Sequence, residues 1–97
     1  MPLHCLRYQS TALQSFSTQA LEALLSQARV YNAAHHISGM LLYRDGKFMQ
    51  VLEGEETALW LLYSKILHDP RHTDIVMLAD EPLPQRGFAA WSMAYRH

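Results

Sequence analysis

Three polar side chains fall where an apolar face is expected. Tyr8 lies in the first apolar run, Asn32 late in the first amphipathic segment, and Gln50 inside Lys47-Phe-Met-Gln-Val-Leu-Glu53. A buried primary amide without partners costs on the order of a few kcal/mol, so Gln50 in particular must be hydrogen-bonded. A phenol and two carboxamides converging on an apolar surface would grip the polar edge of an aromatic ligand, with aliphatic side chains such as Leu24 and Ile66 as walls. These residues fit a second arrangement equally well: Tyr8 and Gln50 bond to each other and fill space, and Asn32 faces solvent. Asp69, Arg71 and His72 are polar groups just past the second helix, where a plain polar connection is the simpler expectation. His68 and His72 are four apart, but Pro70 interrupts any helix between them and no third ligand is evident, so no metal site is expected. Trp91 and Met93 share one strand face, most simply as core. No nucleophile constellation, glycine-rich phosphate loop or catalytic carboxylate pair is present, so no enzyme is expected.

The elements that must position these groups can be read from pattern. Leu3 to Tyr8 reads as a strand and Gln9 to Phe16 as a loop. Ser17 is a helix N-cap, followed by Leu21, Leu24, Leu25 and Ala28 on one helical face. Asn32 lies four residues past Ala28 on that face, and the helix ends near His35. Asp45-Gly46 between two apolar runs is a hairpin turn, since a tight primed turn needs positive φ at both central residues. Centring the turn there pairs Arg44 with Lys47, Tyr43 with Phe48 and Leu41 with Gln50. Gly39, Leu41, Tyr43, Phe48, Gln50 and Leu52 then share one face. Glu53-Gly54-Glu55-Glu56 closes the hairpin and opens a helix whose apolar face is Leu59, Leu62 and Ile66. Asp69-Pro70 stops that helix. Ile75 to Ala79 reads as a fourth strand, Glu81 to Gly87 as a loop and Trp91 to Tyr95 as a fifth strand. The order β-α-β-β-α-β-β predicts an α+β, ferredoxin-like two-layer sandwich, an architecture that hosts many functions.

Ninety-seven residues, 49% apolar and 18% charged, are enough for one globular core. A net charge of −1 argues against broad electrostatic binding of nucleic acid. Cys5 is the single cysteine, which excludes an internal disulfide and fits a buried structural thiol in a reducing compartment. No apolar stretch approaches the ~20 residues of a membrane span and no secretory signal is apparent, so a cytoplasmic location without membrane contact is expected.

The chain resembles BLUF domains, the blue-light sensors that use flavin adenine dinucleotide. The matching stretches are Arg7-Tyr8-Gln9-Ser10, Ala28-Arg-Val-Tyr-Asn32, Ile37-Ser-Gly-Met-Leu41, Gly46-Lys-Phe-Met-Gln50-Val-Leu-Glu-Gly54, Asp69-Pro-Arg-His72 and Phe88-Ala-Ala-Trp91-Ser-Met93. The resemblance implies a flavin held between the two helices: FAD, with FMN or riboflavin able to substitute. It implies cofactor contacts from Tyr8, Leu24, Arg29, Asn32, Gln50, Lys65, Ile66, Asp69, Arg71 and His72. It implies a photocycle in which Tyr8 gives an electron and, through the Gln50 amide, a proton. The amide is left rotated or tautomerised and flavin absorption shifts to the red. Trp91 and Met93, on the last strand, alternate near Gln50 and carry the change outward. Two positions depart from the pattern: Tyr31 stands where several relatives carry Asn or His, and Ser38 where Thr is common.

Residues 1–97 are thus expected to form one photosensor domain. Its output would be a fused effector domain or an unidentified partner protein. His97 falls two residues beyond strand five, which leaves room for neither a fused domain nor extra C-terminal helices, so an excised or minimal sensor is expected. Met49 and Val51 lie on the sheet face without helices, which favours a homo-oligomer. Two other classes remain: a ferredoxin-like small-molecule-binding domain or enzyme without photoactivity, and an RNA-binding module. The latter would need exposed sheet aromatics and basic charge that the sequence lacks.

Overall fold

Asp45 and Gly46 both adopt positive φ, 52° and 75°, and form the tight turn expected of Asp-Gly. The turn joins β2 (Ser38–Arg44) to β3 (Lys47–Glu55) in the anticipated register, with Leu41 opposite Gln50 and Tyr43 opposite Phe48. The computed structural model describes residues 2–89 and 93–96. The remaining elements are β1 (Leu3–Ala12), α1 (Thr18–Ala34), α2 (Glu56–Leu67), β4 (His72–Leu83) and β5 (Ala94–Arg96). The sheet order is β4-β1-β3-β2-β5, antiparallel except for the parallel β2–β5 pair. The predicted element order holds.

Three strands run longer than expected. β1 runs through Gln9–Ala12, a stretch whose composition suggested a loop. There it is paired on both sides, to β3 as far as Lys47 and to β4 as far as His72. Ladder bonds to two neighbours outweigh the weak strand preference of small polar residues. β4 likewise extends from His72 to Leu83 and includes Pro82. It is an edge strand with one neighbour, where a missing backbone N–H costs no ladder bond. β3 continues through Glu55, opposite Leu3, so the expected closing turn is strand, and the Glu55 carboxylate caps α2 by accepting from the Ala58 N–H at 3.0 Å. Ser17 caps α1 as anticipated, its Oγ accepting from the Ala20 N–H at 3.1 Å.

The core lies between the helices and the sheet. Leu6, Leu52 and Leu59 have no exposure at all, and Leu21, Leu25, Leu41, Tyr43 and Phe48 join them. Each fully buried large apolar side chain contributes about 1.5–3 kcal/mol. Gly39 permits a close strand approach: a Cβ there would stand 2.0 Å from the Val51 carbonyl oxygen. At the far end of the sheet, His4 Nε2 bonds Asp80 and lies 3.5 Å from Glu56, tying β1, β4 and α2. Cys5 is buried, and burial raises its thiol pKa, as expected of a structural cysteine.

Candidate functional site

A cavity of about 370 Å³ opens between α1 and α2 above the sheet. The antiparallel β1–β3 register sets Tyr8 directly opposite Gln50, and the hairpin sets Gln50 opposite Leu41. These residues, with Phe48 and His72, form the sheet side of the cavity. The 3.6-residue period of α1 brings Leu24, Ala28, Tyr31 and Asn32 to its inner face. Leu62, Lys65 and Ile66 of α2 face them, and Asp69 and Arg71 complete the lining with Phe16 and Gln27.

Tyr8, Asn32 and Gln50 therefore do converge, at 3%, 1% and 8% exposure, so Asn32 does not face solvent. The Tyr8 hydroxyl donates to Gln50 Oε1. Gln50 Nε2 donates to Met93 Sδ at 3.7 Å, and Met93 is itself buried. The amide thus sits between a phenol and a thioether. Burial pushes the Tyr8 phenol far above its ordinary pKa, and nearby Tyr63 and Asp69 add to this. The phenol accordingly stays protonated across the physiological range. The Tyr63 ring packs against it in a T-shaped arrangement at a centroid distance of 5.6 Å.

At one end of the cavity Arg71 grips Asp69. Arg71 Nε donates to both carboxylate oxygens at 2.9 and 3.0 Å, and Nη2 to one of them at 2.5 Å. Hydrogen bonds from Arg71 are the main cause that holds the Asp69 carboxyl below its usual pKa. His72 is locked rather than free: Nε2 contacts the Ile66 carbonyl at 3.0 Å and Nδ1 contacts Ser10 Oγ at 2.7 Å. A carbonyl only accepts, so in the neutral ring Nε2 carries the proton and Nδ1 accepts from Ser10. His68 donates from Nδ1 to the Ser64 carbonyl. At the cavity wall Lys65 Nζ stands 4.6 Å over the Tyr31 ring, which stacks on His35 at 4.0 Å.

Nine of the ten residues expected to contact a cofactor line this cavity: Tyr8, Leu24, Asn32, Gln50, Lys65, Ile66, Asp69, Arg71 and His72. Arg29 goes elsewhere. Its Nε donates to the Met93 carbonyl at 3.0 Å, on the β5 side of α1. Trp91 lies outside the described residues. Met93 immediately precedes β5, which spans Ala94–Arg96.

Pattern reading missed two features. Phe16, in the expected loop, is a cavity wall whose ring meets Phe48 edge-on at 5.1 Å and whose N–H donates to the Tyr43 hydroxyl. The signal was a lone aromatic in a polar run. The second feature is a buried clasp around Glu53, which is 3% exposed. Its carboxylate accepts from Ser38 Oγ, Gly87 N and Phe88 N at 2.7–2.9 Å. Arg86 adds bonds to Ser38 Oγ and to the Glu53 and His36 carbonyls. The hairpin register alone pairs Ser38 with Glu53, but nothing local points to the loop they hold.

Comparison with known proteins agrees with this geometry. The family model described as sensors of blue light using FAD, BLUF, matches residues 3–94. The chain is 41% identical to a photoactivated adenylate cyclase subunit beta of Euglena longa over 92 residues, which cover 94% of this chain and 11% of that protein. It superposes on a bacterial light-regulated adenylyl cyclase with a TM-score of 0.94 and 35% identity, covering 97% of this chain and 28% of the other. On the dark-state structure of BlrB, a BLUF protein, the TM-score is 0.92 at 33% identity, covering 97% and 71%. The chain thus spans about a tenth of the length of the curated cyclase subunit it matches. With a family model over nearly its whole length and the same fold in solved relatives, the chain belongs to BLUF, the sensors of blue light using FAD.

Proposed function

We propose that the Tyr8–Gln50–Met93 chain is the photochemical switch of this blue-light sensor, working on a flavin held in the cavity between the helices. The hydrogen-bonded line of a buried phenol, an amide and a thioether in one cavity wall carries this reading. The cavity suits the cofactor. Its walls are aliphatic and aromatic, its volume lies in the range of small-molecule sites, and its polar groups are few and placed. A primary amide has two N–H donors. Among the described residues the partner of Gln50 Nε2 is a weak sulfur acceptor, so the amide retains capacity to donate to a ring nitrogen or carbonyl. Asn32 offers a second amide in the same wall, and Leu24, Ile66, Lys65, Asp69, Arg71 and His72 would complete the binding shell.

When bound, the flavin supplies absorption of blue light and, once excited, a strong oxidant. The chain's residues do the rest. Tyr8 is held neutral by burial, so losing an electron makes its hydroxyl strongly acidic, and Gln50 Oε1 already accepts that proton. Return of the electron and proton restores Tyr8 and leaves the amide turned. The turned amide changes what it offers the ring edge and what it offers Met93, whose backbone leads into β5.

The module itself performs no chemistry on a substrate in this reading. FAD is the proposed cofactor, with FMN or riboflavin substituting, because the cavity engages the shared ring. Output would pass to a fused effector domain or a separate partner, as the cyclase relatives suggest. Among the described residues no helix is long and apolar enough to cross a membrane, and we place the module in the cytoplasm. Half-buried Met49 and Val51, with exposed Val76 and Leu78, support self-association.

Reconstitution with FAD, FMN or riboflavin tests the proposal. The expected result is near-stoichiometric flavin and a reversible red shift of its absorption under blue light. Asn32→Ala should lower the flavin-to-protein ratio. Flavin binding without any red shift would favour a binding domain without photoactivity.

A further inference from the structure

The sequence resemblance implied that Arg29 contacts the cofactor, but the structure places its Nε on the Met93 carbonyl at 3.0 Å. We propose that Arg29 is a positioning residue that holds Met93 against Gln50 and thereby sets how fast the light-adapted state returns to the dark state, an inference that rests on the switch described above.

Arg29 lies one turn past buried Leu25 and three residues before buried Asn32, so it borders the inner stripe of α1. Its side chain is largely exposed apart from this bond. The bond is charge-assisted and stronger than one between neutral groups. Core packing already holds the Met93 side chain, which is 1% exposed, so the bond from Arg29 acts on its backbone. Among the described residues β5 is three residues long and pairs only with Met40–Leu42 of β2. The Met93 thioether is a weak acceptor and cannot anchor itself to the amide. The Glu53 clasp fixes Gly87 and Phe88, on the far side of the connection. Arg29 therefore adds to that packing a bond that fixes where the Met93 backbone sits in the wall. It also links α1, which carries Asn32, to the strand that would report the amide.

When the amide turns, Oε1 faces Met93 Sδ and the N–H···S contact is lost. A backbone still held by Arg29 keeps the thioether within reach, so the dark contact is regained as soon as the amide turns back. Without Arg29, the Met93 backbone is free to shift, and the thioether must be brought back into line before the contact reforms.

The test compares wild type with Arg29→Met, which keeps the stem and removes the donor, and with Arg29→Lys. Arg29→Met should bind flavin at the wild-type ratio, still shift red, and recover about tenfold more slowly, the order expected for loss of one charge-assisted bond. Arg29→Lys should recover within about threefold of wild type, because an ammonium can reach the same carbonyl. In a Met93→Ala background, Arg29→Met should change recovery less than about twofold, since no thioether remains to be positioned. Amide hydrogen exchange at residues 94–96, in the dark and without flavin, should rise in Arg29→Met. Unchanged recovery, unchanged exchange, or loss of flavin from Arg29→Met would each overturn the proposal. A wild type that binds flavin without a red shift would instead refute the switch, and exchange at residues 94–96 would still decide whether Arg29 holds the strand.

Discussion

Tyr8 and Gln50 share one buried hydrogen bond, so their effects on stability should not add. Tyr8 is 3% and Gln50 8% exposed, so a lost partner is poorly replaced by solvent. Tyr8→Phe removes the hydroxyl that donates to Gln50 Oε1 and strands that acceptor, at a cost of about 1–3 kcal/mol. Gln50→Leu strands the phenol instead, at a similar cost reduced by roughly 1 kcal/mol of gained apolar burial. The double variant removes donor and acceptor together, a change that can be nearly neutral. The predicted coupling is therefore about 1–3 kcal/mol, with the double variant more stable than the sum of the singles. For a domain of this size each kcal/mol moves the melting temperature by about 4–8 °C. Urea unfolding of all four proteins in the dark, with and without flavin, measures the cycle. Flavin absorption before and after blue light reads the photochemistry of the same samples, and all three variants should fail to shift red. Additivity to within about 0.5 kcal/mol would show that the two side chains do not share a bond. A normal red shift in Gln50→Leu would refute the amide as the switch.

Two further expectations concern the scaffold. Gly39→Ala should destabilise the protein by several kcal/mol, at the severe end of single substitutions, because its Cβ would stand 2.0 Å from the Val51 carbonyl oxygen in a paired strand; an unchanged melting temperature would refute the close approach. The Asp69–Arg71 pair should make stability depend on acid. Hydrogen bonds from Arg71 depress the folded pKa of Asp69 below the unfolded value of about 3.9, so the pair stabilises fully above that value and the contribution is lost as pH falls through the folded pKa. Asp69→Asn should then lose less stability than wild type between neutral pH and about pH 2, and parallel acid melts would count against the pair.

What the sequence made legible was set by local rules. Asp45-Gly46 fixed a turn type, the turn fixed a register, and the register put Gln50 on the buried face opposite Leu41. The Ser17 cap and the Leu21–Leu25 stripe followed from helix geometry in the same way. That Tyr8 bonds Gln50 was legible only as one of two arrangements, because deciding it needs the β1–β3 pairing, a contact between residues 42 apart. The strand ends at Gln9–Ala12 and Glu81–Leu83 were lost for a related reason: small polar residues and prolines read as loop until a partner strand is known. Asp69, Arg71 and His72 read only as a polar connection, and it took family resemblance to single them out. The bond from Arg29 to the Met93 backbone carbonyl was not legible either, because it leaves no mark in side-chain types.

The two neighbours of the Gln50 amide differ in a way that assigns them different parts. A hydroxyl can donate or accept, so Tyr8 can face either end of the amide and stay hydrogen-bonded. A thioether only accepts, and weakly, so Met93 is satisfied when Nε2 faces it and meets an oxygen as bare acceptor when the amide is turned. In the proposed switch Tyr8 therefore drives the change without registering its outcome, whereas Met93 registers the outcome without driving it. The cost of the mismatched contact, on the order of a single weak hydrogen bond, is small beside the energy of a blue photon and comparable to what one bond from Arg29 to the Met93 backbone can hold. In the proposed switch that balance would let a side-chain rotation compete with the anchorage of a three-residue edge strand, and β5 is the shortest strand of the described structure, paired at three positions.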